Sequence, residues 1–312
     1  MQTTSHILMI RPVQFGYNPE TAVNNAFQTP GHEPDIADRA LAEFDRFVDL
    51  LRAQGVDVTV VQDSPEPPTP DSIFPNNWVS FHEDGTVVLY PMFAVNRRRE
   101  RKPAVLAEVA RRFEVRNTRD LSGYEGRDMY LEGTGSMVLD RDHRIAYACL
   151  SARTGKEVLE DWCRQLGYRA VLFEATDAQG QAIYHTNVLM CVGDRFVLVC
   201  LEAVRQLPQR RALEDTIRQS GKEIIPISLD QMAHFAGNLL QVENHRGEKL
   251  LVMSSQAFGS LEPGQVARLN KYGRIVHSPL EVIEQNGGGS ARCMMAEIYL
   301  PERLPSTDPS AK

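Results

Sequence analysis

Long apolar runs are missing from this sequence of 312 residues. No stretch approaches the roughly 20 consecutive apolar residues that a transmembrane helix needs. The first residues, MQTTSHILMIRP, contain neither the charged and apolar regions nor the cleavage site of a secretory signal. These absences argue against a membrane protein, and we predict a cytoplasmic location with no membrane partner.

The chain also lacks an excess of positive charge. Its formal net charge is −7 at pH 7, and its dense basic run, residues 96–102, is short and contains Glu100. Nucleic-acid binding depends on clustered lysine and arginine that neutralise phosphates, so we expect no nucleic-acid partner. With 42% hydrophobic and 24% charged residues, the composition is that of an ordinary globular protein.

Paired cysteine motifs are the third absence. The five cysteines form no CxxC pair and no Cys/His cluster with zinc spacing, so we expect no metal site. Four of them lie in apolar, periodic segments and are predicted to be core residues: Cys149, Cys163, Cys191 and Cys200. Only Cys293 follows a glycine run, in NGGGSARC, where the glycines indicate unusual backbone angles or a close approach to the backbone.

What the sequence does contain is a repeated pattern of two parts. One part is an amphipathic helix, usually closed by glycine, followed by a β-branched strand, at residues 41–61, 106–117, 158–173, 212–228 and 266–278. The other part is a β-hairpin, at residues 77–91, 135–150, 186–200, 237–254 and, with one strand only, 293–301. The N-terminal segment HILMIRP could supply the missing neighbour of that last strand.

The hairpins open at five corresponding positions with a nearly constant period. The openings are spaced 58, 52, 51 and 55 residues apart, at Asn77, Gly135, Asn187, Asn238 and Cys293. A fixed period of this size indicates one supersecondary unit copied around an axis or along a line. If the five units close on themselves, five equivalent strand ends meet at one central point, which is a natural place for a site.

Three chemically useful side chains stand at these junctions. Glu132, His185 and Cys293 supply a carboxylate, an imidazole and a thiol, the groups that covalent thiol catalysis needs. Each of these residues, taken alone, also fits a non-catalytic role, because most buried cysteines are inert and most glutamates are solvated. Their shared position in the repeat, beside glycines, favours the catalytic interpretation.

The combined motifs resemble those of the guanidine-group modifying enzymes. The resemblance rests on residues 71–100, which begin DSIFPNNW, with LEGTG at 131–135, HTN at 185–187 and NGGGSARC at 286–293. Within that superfamily the chain is most similar to the arginine-deiminase-related, amidinotransferase-like branch associated with citrulline utilisation. The resemblance implies a pentein fold, an α/β propeller of five ββαβ units, forming a single catalytic domain over residues 1–303. The polar tail, residues 304–312, is expected to be disordered.

The resemblance also implies roles for individual residues. Cys293 would be the nucleophile, His185 the general acid and base, and Glu132 the acid that binds substrate nitrogens. No cofactor is implied. The other residues of the predicted substrate site are Asp71, Phe74, Asn77, Arg97, Arg98, Asn187 and Arg292, with either Arg97 or Arg98 beside the substrate α-carboxylate.

Two of these positions depart from the arginine deiminase pattern, which has aspartate where this chain has Asn77 and Asn187. A buried guanidinium favours carboxylates, whereas an amide both donates and accepts hydrogen bonds. We therefore expect a small-molecule substrate with a neutral ureido group, as in citrulline, or a guanidino amino acid held mainly by Glu132 and Asp71. The alternatives are an amidinotransferase and a non-catalytic binder on the same fold, and a homodimer is left open.

Overall fold

The structure is a computed structural model that describes residues 1–31 and 33–303. The expectation for the tail, residues 304–312, lies outside the described residues. Within them, no helix is long and apolar enough to cross a membrane.

Five three-stranded sheets surround a central axis. In four sheets an antiparallel hairpin is followed, after a helical crossover, by a third strand that runs parallel to the second. The strands are β1 (His6–Arg11), β2 (Asp57–Gln62), β3 (Val79–Phe81), β4 (Thr86–Leu89), β5 (Asn117–Asp120), β6 (Val138–Asp140), β7 (Ile145–Cys149), β8 (Arg169–Phe173), β9 (Met190–Val192), β10 (Phe196–Val199), β11 (Glu223–Pro226), β12 (Leu240–Glu243), β13 (Lys249–Ser254), β14 (Arg274–Ser278) and β15 (Ala296–Glu297). This arrangement confirms the predicted fivefold ββαβ repeat.

The last blade is completed by the N-terminus. Strand β1 pairs antiparallel with β15, with Ile7 opposite Glu297, and parallel with β2 on its other side. The proposed role of HILMIRP is therefore confirmed. Because the two ends of the chain share one sheet, the ring of blades closes and the first strands of the blades surround the axis.

Helices link the strands and cover the outside of the blades. They are α1 (Pro19–Ala22), α2 (Ile36–Ala53), α3 (Pro103–Arg112), α4 (Gly133–Ser136), α5 (Lys156–Leu166), α6 (Thr186–Leu189), α7 (Leu207–Gln219), α8 (Leu229–Ala233), α9 (Ser255–Ser260), α10 (Pro263–Leu269) and α11 (Glu281–Gly287). The crossover helices bury one apolar face, as α5 does with Val158, Leu159 and Trp162. Helix α5 ends at Gly167, whose φ of 71° lies in the left-handed region that glycine adopts without strain.

Short helical turns precede the first strands and carry the predicted site residues to the axis. Two of them are 3₁₀ turns, Pro75–Asn77 and Ala291–Met294, and two are α4 and α6. Their mutual packing places the blade openings side by side. All five cysteines are free and buried, as predicted for the four core cysteines.

Candidate active site

The five blade openings converge on the axis, as the repeat predicts. The side-chain amides of Asn187 and Asn238 each donate to Cys293 Sγ across 3.3 Å. A Cβ added to Gly135 would lie 2.4 Å from Asn77 Nδ2. Residues separated by more than 50 positions in sequence therefore touch because they occupy equivalent places in the repeat.

Glycine at position 135 makes room for the histidine. The same added Cβ would lie 2.8 Å from Nδ1 of His185, closer than real side chains come. Any larger residue at this position would push the imidazole or the amide of Asn77 aside. The glycine in LEGTG thus permits a close approach between blades.

His185 and Glu132 form a buried pair. Nε2 of His185 lies 2.8 Å from Oε2 of Glu132, and both side chains are at most 2% exposed. Because a carboxylate only accepts, the proton of a neutral imidazole is assigned to Nε2, which leaves Nδ1 as the free lone pair. The backbone N–H of Phe93 donates to Glu132 Oε1 at 2.9 Å and fixes the carboxylate.

The pKa values of this pair move in the same direction for different reasons. Burial lowers the pKa of His185 to about 4, although Glu132 opposes this shift. Burial alone would raise the pKa of Glu132, but the charge of Arg153 and the contact with His185 outweigh it and lower the pKa to about 2. At neutral pH the pair is therefore a neutral imidazole oriented by a carboxylate.

Arg153 is a site residue that the sequence analysis did not identify. Its Nη1 lies 3.5 Å from Glu132 Oε2, and its side chain is 2% exposed. Nε and Nη2 donate to Asn24 Oδ1 at 2.8 and 2.6 Å, which ties the N-terminal segment to the axis. The available signal was its place shortly after the second strand of a hairpin, the position that Arg97 also holds.

Arg97 fixes the orientation of Asn77. Its Nη1 donates to Asn77 Oδ1 at 2.8 Å, and its other guanidinium atoms donate to Glu100 at 2.8 and 2.9 Å. Because arginine only donates, Asn77 must turn its oxygen to Arg97 and its Nδ2 group away from it. The predicted substrate residue Asn77 consequently presents a hydrogen-bond donor beside His185.

Asp71 lies on the other side of Arg97. Its Oδ2 accepts from Asn18 Nδ2 at 2.7 Å and Thr21 Oγ1 at 3.1 Å, and lies 3.8 Å from Arg97 Nε. Burial raises the pKa of Asp71, and Arg97 counteracts that shift.

Three of the eight buried side-chain polar atoms that have no hydrogen-bond partner among the described residues belong to this group. They are the acceptors Asp71 Oδ1 and Asn187 Oδ1 and the donor Asn77 Nδ2. An unpaired buried polar atom costs on the order of 1–3 kcal/mol, and a ligand that pairs it removes that cost. These three atoms are therefore available to a ligand that binds beside Cys293.

Several of these residues line a small cavity of about 10 Å³, here called the catalytic cavity. This space holds about one water molecule and is far below the roughly 300–1,000 Å³ of typical drug-sized sites. Its wall consists of Thr21, Asn25, Asp71, Phe74, Asn77, Arg97, Arg153, Tyr184, His185, residues 287–289 and Cys293. Thr21 and Asn25 come from the N-terminal segment, which therefore covers the cavity.

The glycine run before Cys293 fits against an aromatic wall. An added Cβ would lie 2.8 Å from the Phe74 ring at Gly287 and 3.0 Å from it at Gly289. The hydroxyl of Tyr184 donates to the carbonyl of Gly288 at 2.5 Å. The glycines thus let the segment that carries Cys293 pass directly beside Phe74, the close approach expected from the sequence.

Three predicted substrate residues are absent from the cavity wall, and one of them, Asn187, still contacts Cys293. Arg98 donates to the carbonyl of Met92 and stacks over Tyr130, on the outer side of its 3₁₀ turn. Arg292 points to the far side of Cys293, where Nη2 donates to Glu297 at 2.7 Å. A 3₁₀ turn has three residues per turn, so neighbouring side chains diverge by about 120°, and Arg98 and Arg292 point away from Arg97 and Cys293.

No metal ligands are grouped at the cavity. Among the described residues, the one group of side chains close enough together to hold a metal ion is His6, Asp57 and Glu302, which lies at the surface near the ends of β1 and β2. The chemistry available at the axis is that of a thiol, an imidazole and a carboxylate.

Comparison with known families and structures agrees with this architecture. The model of the family described as N,N dimethylarginine dimethylhydrolase, eukaryotic, matches residues 11–300. No curated protein matches the chain.

Solved structures are similar in fold at low sequence identity. ArgZ, an arginine dihydrolase from the ornithine-ammonia cycle in cyanobacteria, has a TM-score of 0.72 at 20% identity, over 96% of this chain and 41% of ArgZ. The chain thus spans about two fifths of that protein. The N-terminal domain of ArgZ, as a cysteine-to-serine variant bound to substrate, has a TM-score of 0.71 at 19% identity, over 95% and 98%.

A third similar structure is the dimethylarginine dimethylhydrolase (DDAH) of Pseudomonas aeruginosa, as a cysteine-to-serine variant complexed with citrulline. It has a TM-score of 0.65 at 16% identity, and the match covers 95% of this chain and 100% of the DDAH chain. These likenesses confirm the predicted pentein fold, and the family match confirms the guanidine-modifying superfamily. The citrulline-utilisation branch stays a prediction.

Proposed function

We propose that this chain, which belongs to the N,N-dimethylarginine dimethylhydrolase family, is a hydrolase of C–N bonds that cleaves the ureido group of a citrulline-like amino acid. The observation that carries this proposal is the orientation of Asn77. Its unpaired Nδ2 donor needs an acceptor, which a ureido oxygen supplies. A guanidinium has only donors and would leave Asn77 unpaired.

The two unpaired acceptors match the rest of a ureido group. Asp71 Oδ1 and Asn187 Oδ1 can each accept an N–H, and a ureido group has an N–H and an NH₂ on either side of its carbonyl. The protein's one unpaired donor and two unpaired acceptors therefore complement the carbonyl oxygen and the two nitrogen donors of a ureido group. This match supports a neutral reacting group over a cationic one.

In the mechanism we propose, Cys293 is the nucleophile. Its sulfur receives two amide N–H groups, from Asn187 and Asn238, which stabilise negative charge on it. The thiolate attacks the carbonyl carbon and gives a tetrahedral adduct, whose oxyanion the Asn77 amide stabilises. The Cys293 S–C bond forms as the C=O π pair moves to oxygen.

His185 moves the protons. As a neutral imidazole it accepts the thiol proton at Nδ1, and Glu132 stabilises the resulting imidazolium. That proton then goes to the departing amine as the C–N bond breaks, leaving an S-carbamoyl enzyme. Water, deprotonated by His185, hydrolyses the thioester-like bond to carbamate, so citrulline and one water give ornithine, carbon dioxide and ammonia.

A guanidino amino acid is the second candidate substrate. The family and the similar solved structures include enzymes of arginine and methylated arginine, and Glu132 and Asp71 provide two carboxylates for a cation. Deimination of a guanidino group yields a ureido group, so one cavity could serve both steps. The covalent intermediate would also permit transfer to an amine, but the family consists of hydrolases.

The test is an end-point assay of the protein and its Cys293→Ala variant against citrulline, arginine and methylated arginines, scoring ammonia, amine and ornithine. Ornithine from citrulline, lost in the variant, supports the proposal. Citrulline accumulating from arginine, with citrulline itself inert, would contradict it and favour a deiminase.

The Asn77→Asp variant tests the orientation argument. A carboxylate at this position only accepts, so the preference should shift from citrulline toward arginine by about 10-fold or more in kcat/KM, as expected for one charged hydrogen bond. Asn76→Asp is the matched control, because Asn76 is equally buried but does not line the cavity. An unchanged preference in Asn77→Asp would refute the role of Asn77.

A further inference from the structure

A second and larger cavity opens beside the catalytic cavity. It measures about 820 Å³ and lies between the N-terminal segment, the loop after β8, and helices α8 and α11. We call it the acidic cleft. Its volume is within the roughly 300–1,000 Å³ of small-molecule sites. Its wall includes Phe27, Asp177, Asp230, Met232, Glu281 and Glu284.

The charges of the cleft have one sign. Four carboxylates line it, and no lysine, arginine or histidine among the described residues does so. Asp230 and Glu281 are exposed at the rim, whereas Met232 and Phe235 are buried in the floor. A cleft with an acidic rim and an apolar floor favours a ligand with a positive charge and an apolar body.

Glu284 is the feature that points to a ligand. Its side chain is only 3% exposed, and Oε1 accepts from Ser290 Oγ at 2.5 Å. Oε2 has no hydrogen-bond partner among the described residues, although it is buried and its residue lines the cleft. Burial raises the pKa of Glu284 to about 7, and a cation in the cleft would stabilise its charged form and pair the free oxygen.

The acidic cleft is separate from the catalytic cavity. Phe27 lines the cleft and Tyr184 lines the cavity, and their rings pack edge to face with centroids 6.1 Å apart. Glu284 reaches the segment that carries Cys293 through Ser290, whose carbonyl accepts from the Cys293 N–H at 3.0 Å. The two sites are therefore neighbours divided by an aromatic contact.

We propose that the acidic cleft binds a small organic cation, an ammonium group on a short alkyl chain. The ammonium group donates to Glu284 Oε2, and the rim acids Asp230 and Glu281 add attraction at longer range. The alkyl chain packs on Phe27, Met232 and Phe235. A bare metal ion fits less well, because the described carboxylates of the cleft do not lie close enough together to share one.

The experiment measures binding of n-butylammonium to the full chain by titration calorimetry at low salt, with n-butanol as the uncharged analogue. The catalytic cavity is excluded as the binding place by repeating the titration with the Cys293→Trp variant. We expect saturable binding of the amine in both proteins, weakening as salt is added, and no comparable binding of the alcohol.

Two variants locate the site. Glu284→Gln should weaken amine binding at least about 10-fold, since a hydrogen bond between two charges is lost. Ala233→Trp, at an exposed position of the wall, should block the cleft while keeping every carboxylate. Asp215→Asn, which removes an exposed acid of α7 outside the cleft, should bind like the parent protein.

Three results would overturn the proposal. They are an absence of saturable amine binding, equal affinities for amine and alcohol, and unchanged binding in both Glu284→Gln and Ala233→Trp. Because Ala233→Trp leaves the buried carboxylate in place, a folding defect of Glu284→Gln cannot decide the outcome alone.

Discussion

Two sets of buried polar groups lie near the axis of the propeller, and they are organised differently. At or beside the catalytic cavity, Asp71, Asn77 and Asn187 each keep one polar atom unpaired. The other set lies among the innermost strands β6, β9, β12 and β15, where Arg292 donates to Glu297 at 2.7 Å and Arg141 stacks on Tyr299 at 3.9 Å.

The second set is satisfied from within the protein. Tyr299 OH donates to the backbone of Gln2 at 2.6 Å, and the Gln2 amide donates to backbone carbonyls of two blades at 2.9 and 3.0 Å. We call this set the closing network, because it joins the N-terminus to the blades. This difference shows that buried charge alone does not identify a site. Unpaired donors and acceptors beside a cavity are a better guide, since a complete network has no free hydrogen-bonding atom for a ligand.

Removing one cysteine from each set should give the largest difference in activity. Cys293→Ala should lower turnover by at least about 10⁴-fold, because no other group in the cavity can form the covalent intermediate. Cys191→Ala, in the wall of the closing network, should leave turnover nearly unchanged. Steady-state assays with thermal melts as the folding control decide the matter, and comparable losses in both variants would contradict the assignment of Cys293.

The next largest effect should come from the histidine. His185→Gln should lower kcat by about 10²–10⁴-fold, the range of general acid–base catalysis, with a smaller change in KM. His82→Gln is the matched control, since His82 is also buried, with its pKa lowered to about 3 mainly by burial, but lies outside the cavity. A similar loss of kcat in both variants would mean that His185 acts only through the fold.

A substitution in the closing network should lower the free energy of unfolding and leave turnover nearly unchanged. Glu297→Gln leaves Arg292 and Arg141 without their carboxylate, and breaking a buried ion pair this way costs roughly 3–5 kcal/mol. Denaturant unfolding should record that loss, while the folded enzyme keeps its turnover within a few-fold. A large fall in kcat with unchanged stability would show that this network also takes part in catalysis.

The part of the site that follows the repeat was predictable from the sequence. Glu132, His185 and Cys293 occupy equivalent junctions, so symmetry alone brings them to the axis; in the structure His185 and Cys293 line one cavity, and Glu132 contacts His185. The period and the hairpin pattern also predicted the blade order and the role of β1.

The part that breaks the repeat was not predictable. Asn18, Thr21 and Asn25 belong to a segment between β1 and α2 that has no counterpart in the other blades, so no periodicity marks them. Arg153 and Arg97 differ from the other arginines near the site in their burial of about 98%, which the sequence does not reveal. Side-chain direction within a 3₁₀ turn separated Arg97 from Arg98, and sequence spacing does not contain that information.

The smallest expected effect is that of a substitution at Asp71. It tests whether this buried carboxylate lowers the stability of the protein while it aids substrate binding. Asp71→Asn should raise stability at neutral pH by roughly 1 kcal/mol and lower kcat/KM, because it removes a buried charge with an unpaired oxygen. Burial raises the pKa of Asp71 above its value in the unfolded chain, so its penalty is absent at low pH and grows as pH rises through the folded pKa.

The stability difference between the Asp71→Asn variant and the parent should therefore widen from acid to neutral pH, as thermal melts across that range would record. Glu43→Gln is the matched control, because Glu43 is buried and its pKa is also raised by burial, but two backbone N–H groups satisfy its oxygens. That variant should lose stability, since a neutral amide accepts those bonds less well. Destabilisation of Asp71→Asn across the whole pH range would contradict this prediction. It would mean that the Asp71 carboxylate is fully paired within the protein, like the charges of the closing network, and is not left unpaired for a substrate.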